Sequence, residues 1–119
     1  MQISQNLLNR IEPLLSDPYQ IGERAKAILC SALHGNADAV ETAARIPAWP
    51  NKQTRAVAAA IAKCIEENIL PDSVNIYCCM KTEGAGQILS RISETMASCD
   101  LERDEAVLCE AYRRRGGTL

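Results

Sequence analysis

Apolar residues recur every three or four positions along most of the chain, which is the spacing of one face of an α-helix. Residues 2 to 15 show the pattern first and predict a helix that ends or bends just before Pro13. A second helix begins at Asp17-Pro18 and stops at Gly35. Asp favours the capping position, Pro the first turn, and Gly the position after a helix end. The first third of the chain therefore predicts two helices joined by a short turn.

The same periodicity predicts five further helices. They lie roughly at residues 37 to 46, 52 to 69, 73 to 81, 82 to 96 and 101 to 115, with Asn51, Thr82 and Asp100 as caps. The helix from residue 52 is apolar over more than half its circumference, so we expect it at the centre of the core. The SVNIYCCM stretch also has strand-like composition, but no second strand is available to pair with it. The pattern predicts an all-α fold of about six to seven short helices in consecutive hairpins.

Composition supports this fold and narrows the function. A length of 119 residues suits one domain, which we place at residues 1–115, with 116–119 as a flexible C-terminal tail. Phe is absent, so the core must be aliphatic and rich in alanine, which favours closely packed helices. A net charge of −2 favours neither nucleic acid nor an anionic membrane. No apolar run approaches the roughly 20 residues needed to span a bilayer, and no secretory signal is evident, so we expect a cytoplasmic protein without membrane contact.

Residues with chemical potential are few. Six cysteines lie at positions 30, 64, 78, 79, 99 and 109, without a CxxC pair, and we expect most to be buried free thiols. Cys78-Cys79 leaves a redox or metal-sensing role as a minor alternative, although neighbouring cysteines pair only with strain. His34 abuts a glycine at a helix end, which favours capping over a nucleophile pair. Arg113–Arg115 lacks interleaved aromatic residues, which disfavours nucleic-acid binding. We predict no catalytic residues, no metal and no cofactor; an enzyme with a Cys nucleophile is the weakest alternative.

The segment GNADAVETAARIP, residues 35 to 47, joins a Gly turn to a helix with small residues and then Pro. It resembles the turn and second helix of a tetratricopeptide repeat, and the resemblance covers residues 20 to 50. It implies a tetratricopeptide-like arrangement, with an irregular helical bundle as the alternative. Trp49-Pro50 followed by AVAAAIAKC resembles, more narrowly, the tetratricopeptide-like small chaperones of type III secretion systems that hold the needle subunit before export.

The resemblance implies a virulence-associated chaperone or co-chaperone with a concave helical surface that grips an amphipathic helix of a secreted or co-chaperone protein. The candidate partner-binding residues are Trp49, Ala58, Ala59, Ala62 and Tyr77; for each one singly, a place in the core is the alternative. Trp49 is the strongest candidate, because Trp is enriched at binding hot spots and this one sits between two prolines. The other function left open is a regulatory or adaptor helical domain with a different protein partner, possibly homodimeric.

Overall fold

Residues 2 to 117 are described by a computed structural model, and within them the chain forms seven α-helices and no β-strand. The helices are α1 (Gln5–Leu15), α2 (Pro18–Leu33), α3 (Ala37–Arg45), α4 (Lys52–Glu66), α5 (Ser73–Cys79), α6 (Ala85–Ser93) and α7 (Leu101–Arg114). This confirms the predicted all-α class and the number of helices. Within the same residues no helix combines the length and apolar character needed to cross a bilayer; the longest, α2, has 16 residues.

Side-chain caps define most helix starts. Asp17 accepts a hydrogen bond from the Tyr19 amide at 3.0 Å, and Asp100 accepts one from the Arg103 amide at 3.0 Å. The same role is played by Ser4, Asn36, Asn51 and Asp72 in front of α1, α3, α4 and α5. These short polar side chains satisfy amides that have no partner inside the helix, so the caps predicted at residues 17, 51 and 100 are confirmed.

The end of α1 and the start of α6 differ from the predicted boundaries, and α4 ends at Glu66 instead of near residue 69. Pro13 lies inside α1, which continues to Leu15, because Leu14 and Leu15 still pack against a small core shared with α7. The sixth helix begins at Ala85 rather than near Thr82. Gly84 precedes it in the left-handed region at φ 77° and supplies no side-chain cap. Glycine adopts this backbone conformation without steric cost, so the chain turns here before the helix can begin.

The centre of the core is α2, not α4 as predicted. Residues 27 to 33 are all buried, and α2 packs against α1, α3, α4, α6 and α7. On α4, Ala59 and Ala62 face solvent, and Ile65 is 45% exposed. Alanine favours helix formation without requiring burial, so a broad apolar circumference did not indicate a central position. The result is an irregular bundle arranged around α2.

Acidic residues of α7 are more deeply buried than their sequence position suggested. Glu102, Asp104 and Glu105 begin this helix, where they suit its dipole, yet Asp104 is 0% exposed. Glu105 accepts hydrogen bonds from Arg45 of α3 at 2.7 and 3.1 Å. Asp104 and Glu105 are therefore paired with cations, Arg103 and Arg45, as buried charges must be, whereas Glu102 is exposed.

The end of α7 is hydrogen-bonded beyond the predicted tail boundary. The amides of Gly116 and Gly117 donate to the carbonyls of Arg113 and Tyr112, with Gly116 at φ 89°. This is a common helix-terminating arrangement, and it makes both glycines part of the cap. The last two residues of the predicted tail lie outside the described residues.

Candidate functional site

Most of the exposed large hydrophobic side chains lie in one part of the surface. Of the seven such residues among those described, five lie between positions 65 and 77: Ile65, Ile69, Leu70, Val74 and Tyr77. With Leu33 they line what we call the apolar groove. The remaining two, Tyr19 and Met96, lie elsewhere in the sequence and line neither of its cavities. Clustered apolar exposure of this kind marks binding surfaces more often than scattered exposure does.

The groove consists of two neighbouring cavities. A larger one of about 1030 Å³ lies where the end of α2, the start of α3, the end of α4 and the start of α5 meet. A smaller one of about 470 Å³ continues between α5 and α6, and both are lined by Leu33, Ser73 and Val74. Leu70 is 71% and Val74 is 70% exposed, so this is an open surface channel. Such a shape suits a polypeptide segment better than a small ligand, which needs nearly complete enclosure.

Hydrogen bonds hold the groove backbone in place. Asn68 adopts a left-handed conformation at φ 61°, and the Ile69 amide donates to the Cys64 carbonyl at 2.8 Å, which ends α4. Asn75 Nδ2 donates to the Leu70 carbonyl at 2.8 Å. Ser73 Oγ donates to the Leu33 carbonyl at 3.3 Å and ties α5 to α2. A groove built in advance of binding lowers the ordering cost that a partner must overcome.

The charge along the groove has one sign. Among the described residues, the lining of the larger cavity includes Glu41 and Asp72, together with His34, but no Lys or Arg. His34 Nδ1 is 2.8 Å from the Cys30 carbonyl at the end of α2. The apolar channel therefore carries carboxylates at its edges, which favours a cationic neighbour.

The structure separates the predicted partner-binding residues. Trp49 is 7% and Ala58 is 5% exposed, and both belong to the main core, so in this conformation neither can form a partner-facing surface. Ala59 and Ala62 are exposed on α4, and Ala62 lies one helical turn before the groove residue Ile65. Only Tyr77, 53% exposed, lines the groove itself. Trp49 is in the core because the indole is the largest apolar side chain of the chain and the bundle has few other aromatic residues.

Four of the five exposed groove residues were not predicted as site residues. Ile65 and Ile69 continue the apolar stripe of α4 and were assigned to the core, but the helix ends at Glu66 and leaves both partly exposed. Leu70 precedes Pro71 in the segment between α4 and α5, and Val74 lies in the first turn of α5. Loops at the surface are usually polar, so apolar residues inside IEENILPDSV were the signal that could have identified this surface.

The single histidine lies beside one of the six cysteines. Cys30 Sγ lies 3.6 Å from His34 Nδ1, but the thiol is buried and donates to the Thr95 carbonyl at 3.3 Å. Residues 2 to 117 contain no group of three potential metal ligands. All six thiols are free: Cys30, Cys64 and Cys109 are buried, Cys79 is half-buried, and Cys78 and Cys99 are exposed. The expectation that most are buried holds for only half of them.

Two of the three C-terminal arginines are engaged in ion pairs. Arg113 binds Glu110, and Arg114 binds Glu110 through Nε at 2.9 Å and Glu12 of α1. Hydrogen bonding from Arg113, followed by that from Arg114, lowers the pKa of Glu110 from 4.5 to about 2. These contacts join α7 to α1, which gives the arginine cluster a structural role.

Replacing Glu110 by Gln should remove a pH-dependent part of the stability. A carboxyl with a lowered pKa in the folded state stabilises it above pH 4.5, and this contribution disappears as the pH falls toward 2. We expect Glu110→Gln to lower the free energy of unfolding at pH 7 by about 1–2 kcal/mol, after allowance for the solvent exposure of both arginines. Urea unfolding at pH 7, 4.5 and 2.5 should show the two proteins converging at acid pH. A constant difference, or an equal effect of Glu102→Gln, an exposed carboxylate on the same helix, would contradict this.

Comparisons of the chain with protein-family models, with curated proteins and with solved structures found no match.

Proposed function

We propose that this protein is a non-enzymatic interaction module that binds an amphipathic helix of a partner protein in the apolar groove. The observation that carries the proposal is that five exposed apolar side chains lie in one surface channel, whose backbone is held in place by hydrogen bonds. These residues are Ile65, Ile69, Leu70, Val74 and Tyr77. An amphipathic helix places apolar anchors at i, i+3, i+4 and i+7, and it can bury them in such a channel while its polar face stays in water. Binding of this kind shields the partner without chemical change.

The groove's charge specifies the partner further. Glu41 and Asp72 lie along the larger cavity, so the bound helix should carry Lys or Arg beside its apolar stripe. Pairing at the edge of a groove contributes more to orientation and association rate than to affinity. We therefore expect affinity to come from the apolar anchors and selectivity from the basic flanks.

We further propose that the biological role is that of a cytoplasmic export chaperone or co-chaperone of a type III secretion apparatus. The support is the resemblance at Trp49-Pro50 and the following helix, together with a groove able to cover an aggregation-prone stripe. In this proposal Trp49 stabilises the joint between α3 and α4 and does not grip the client, because it lies in the core. The alternatives are an adaptor with another partner and a homodimer formed through the same groove.

Substitutions of apolar residues in the groove should weaken the binding of a defined probe. The probe is a fluorescein-labelled helical peptide with Leu at i, i+3, i+4 and i+7 and Lys on its flanks. Val74→Asp and Leu70→Asp should each weaken its binding at least tenfold. Each substitution removes an apolar contact and introduces a carboxylate, which loses its hydration when the apolar face of the peptide covers it. Fluorescence anisotropy gives the Kd. Met96→Asp is the matched control, since Met96 is 87% exposed and lies outside the groove.

Two further peptides make the test decisive. A peptide of the same composition with scrambled order should bind weakly, and one with Glu in place of Lys should bind several-fold more weakly than the parent. Sedimentation of the protein alone at increasing concentration detects self-association through the groove. Equal binding by wild type, Val74→Asp and Met96→Asp would show that the groove is not the peptide-binding site. A dimer of the wild type that is lost in Val74→Asp would show that the groove binds a second copy of this chain instead of another protein.

A further inference from the structure

The thiols of Cys64 and Cys79 lie in contact although they are 15 positions apart in sequence. Their Sγ atoms are 3.6 Å apart. A disulfide bond is about 2.05 Å long, so the sulfurs must approach by about 1.5 Å. Cys64 lies in the last turn of α4 and Cys79 is the last residue of α5, and helix ends can absorb a shift of this size. We propose that Cys64 and Cys79 form a reversible intramolecular disulfide with a low-molecular-weight disulfide, such as glutathione disulfide, as oxidant.

The difference in exposure sets the order of the steps. Cys79 is half-buried, whereas Cys64 is 0% exposed, so Cys79 reacts first. Its thiolate attacks one sulfur of glutathione disulfide, forms a mixed disulfide and releases one glutathione thiolate. Cys64 then loses its proton to solvent, attacks the Cys79 sulfur and releases the second glutathione. Two protein thiols are thus oxidised by two electrons, and one glutathione disulfide is reduced to two thiols.

The second step is the slow one. In the dithiol form, burial together with the hydrogen bond and charge of Cys79 raises the pKa of Cys64 to about 11, and burial still raises this pKa once Cys79 carries a glutathionyl group. Little thiolate is present at neutral pH, and the thiolate is the attacking species. Conversion of the mixed disulfide to the bridge should therefore accelerate about tenfold per pH unit between pH 7 and 9.

The bridge would close a covalent loop that contains the exposed residues of the apolar groove. Ile65, Ile69, Leu70, Val74 and Tyr77 all lie between the two cysteines in sequence. Oxidation therefore joins α4 to α5 at the two ends of the segment that displays these side chains. The proposed disulfide rests on the contact of the two sulfurs and does not depend on what the groove binds.

The test uses the full chain and glutathione disulfide. After incubation of the reduced wild-type protein, free thiols are alkylated, and intact-mass measurement with peptide mapping locates any bridge. We expect a single link between residues 64 and 79, with loss of two hydrogens from that pair, glutathionyl groups only on the exposed Cys78 and Cys99, and reversal by dithiothreitol. Cys64→Ser should instead retain one glutathionyl group on Cys79. A Cys78→Ser/Cys99→Ser double variant, which lacks both exposed cysteines, should still form the bridge.

The wild-type map alone can overturn the proposal. A link involving Cys78 or Cys99, an intermolecular link, or a glutathionyl group that persists on Cys79 would each do so. Circular dichroism of the serine variants before oxidation shows whether each is folded, and the wild-type result stands even where one is not.

Discussion

Replacing Asp104 by Asn should lower the free energy of unfolding by about 3–5 kcal/mol, the range for breaking a buried ion pair. Asp104 is 0% exposed and accepts hydrogen bonds from Ser98 Oγ at 2.5 Å and Arg103 Nε at 3.0 Å. Arg24 lies 3.7 Å away, and its Nε is already buried without a hydrogen-bond partner among the described residues. Loss of the carboxylate charge leaves two guanidinium groups, each only 23% exposed, without their counterion. Urea denaturation at pH 7 measures the change.

The loop before α7 depends on the same residue. The Ser98 amide donates to Ser31 Oγ at 2.8 Å and its hydroxyl to Asp104, so the loop is tied to α2 and α7 together. Ser98→Ala should therefore cost about 1 kcal/mol, the ordinary value for one hydrogen bond. Asp38→Asn, an exposed carboxylate in the first turn of α3, serves as the control and should change stability by less than about 0.5 kcal/mol. A change below about 1 kcal/mol for Asp104→Asn would show that its pairing contributes little.

Replacing Trp49 by Ala should destabilise the fold by about 3–5 kcal/mol, because it removes the largest side chain of the core and leaves a cavity. Trp49 is 7% exposed and packs in the main cluster, which also contains Ile61 and Leu108. As the only Trp, it reports its own environment, and its fluorescence should shift to longer wavelength when urea exposes the indole. The loss of unfolding free energy is read from the same titration by circular dichroism.

A second Trp49 variant separates stability from binding. Trp49→Phe keeps a buried aromatic ring, so it should retain most of the stability and bind the helical peptide probe with unchanged Kd. The opposite pattern, in which Trp49→Phe is fully stable but binds the probe tenfold more weakly, would restore Trp49 as a partner-binding residue. The groove variants give the complementary result, because Val74 is 70% exposed and its replacement should leave stability nearly unchanged.

Local signals predicted the helices well because they act over a few residues. The caps at Asp17, Asn51 and Asp100 each depend on a side chain and an amide two or three positions later, and both are visible in the sequence. On α2, Ala25, Ile28, Leu29 and Ala32 follow the helical spacing and are buried, whereas Ile21, in the same series, is half-buried. Predictions failed where a backbone conformation decided the outcome. Asn68 adopts a left-handed conformation, and α4 therefore ends at Glu66, three residues before the predicted end at residue 69.

The candidate site was less predictable than the helices. Tyr77 was identified, but the other groove residues were placed in the core or left unassigned, since their exposure depends on where α4 stops and how α5 packs against α6. The pairing of Cys64 with Cys79 joins two helices across a connecting loop, and attention to the adjacent Cys78-Cys79 pair did not reveal it. Periodicity reports which face of a helix is apolar, not which neighbour covers it.

The sequence by itself determined the all-α class, the seven helices and three of the six side-chain caps, because hydrophobic spacing and capping are local properties of the chain. Tertiary structure alone decided that α2 is central, that Trp49 is in the core and that Asp104 is buried among arginines. It also decided that Leu70 and Val74 remain exposed beside Leu33. These outcomes depend on contacts between residues far apart in sequence, whose free energies are settled only when the helices pack together.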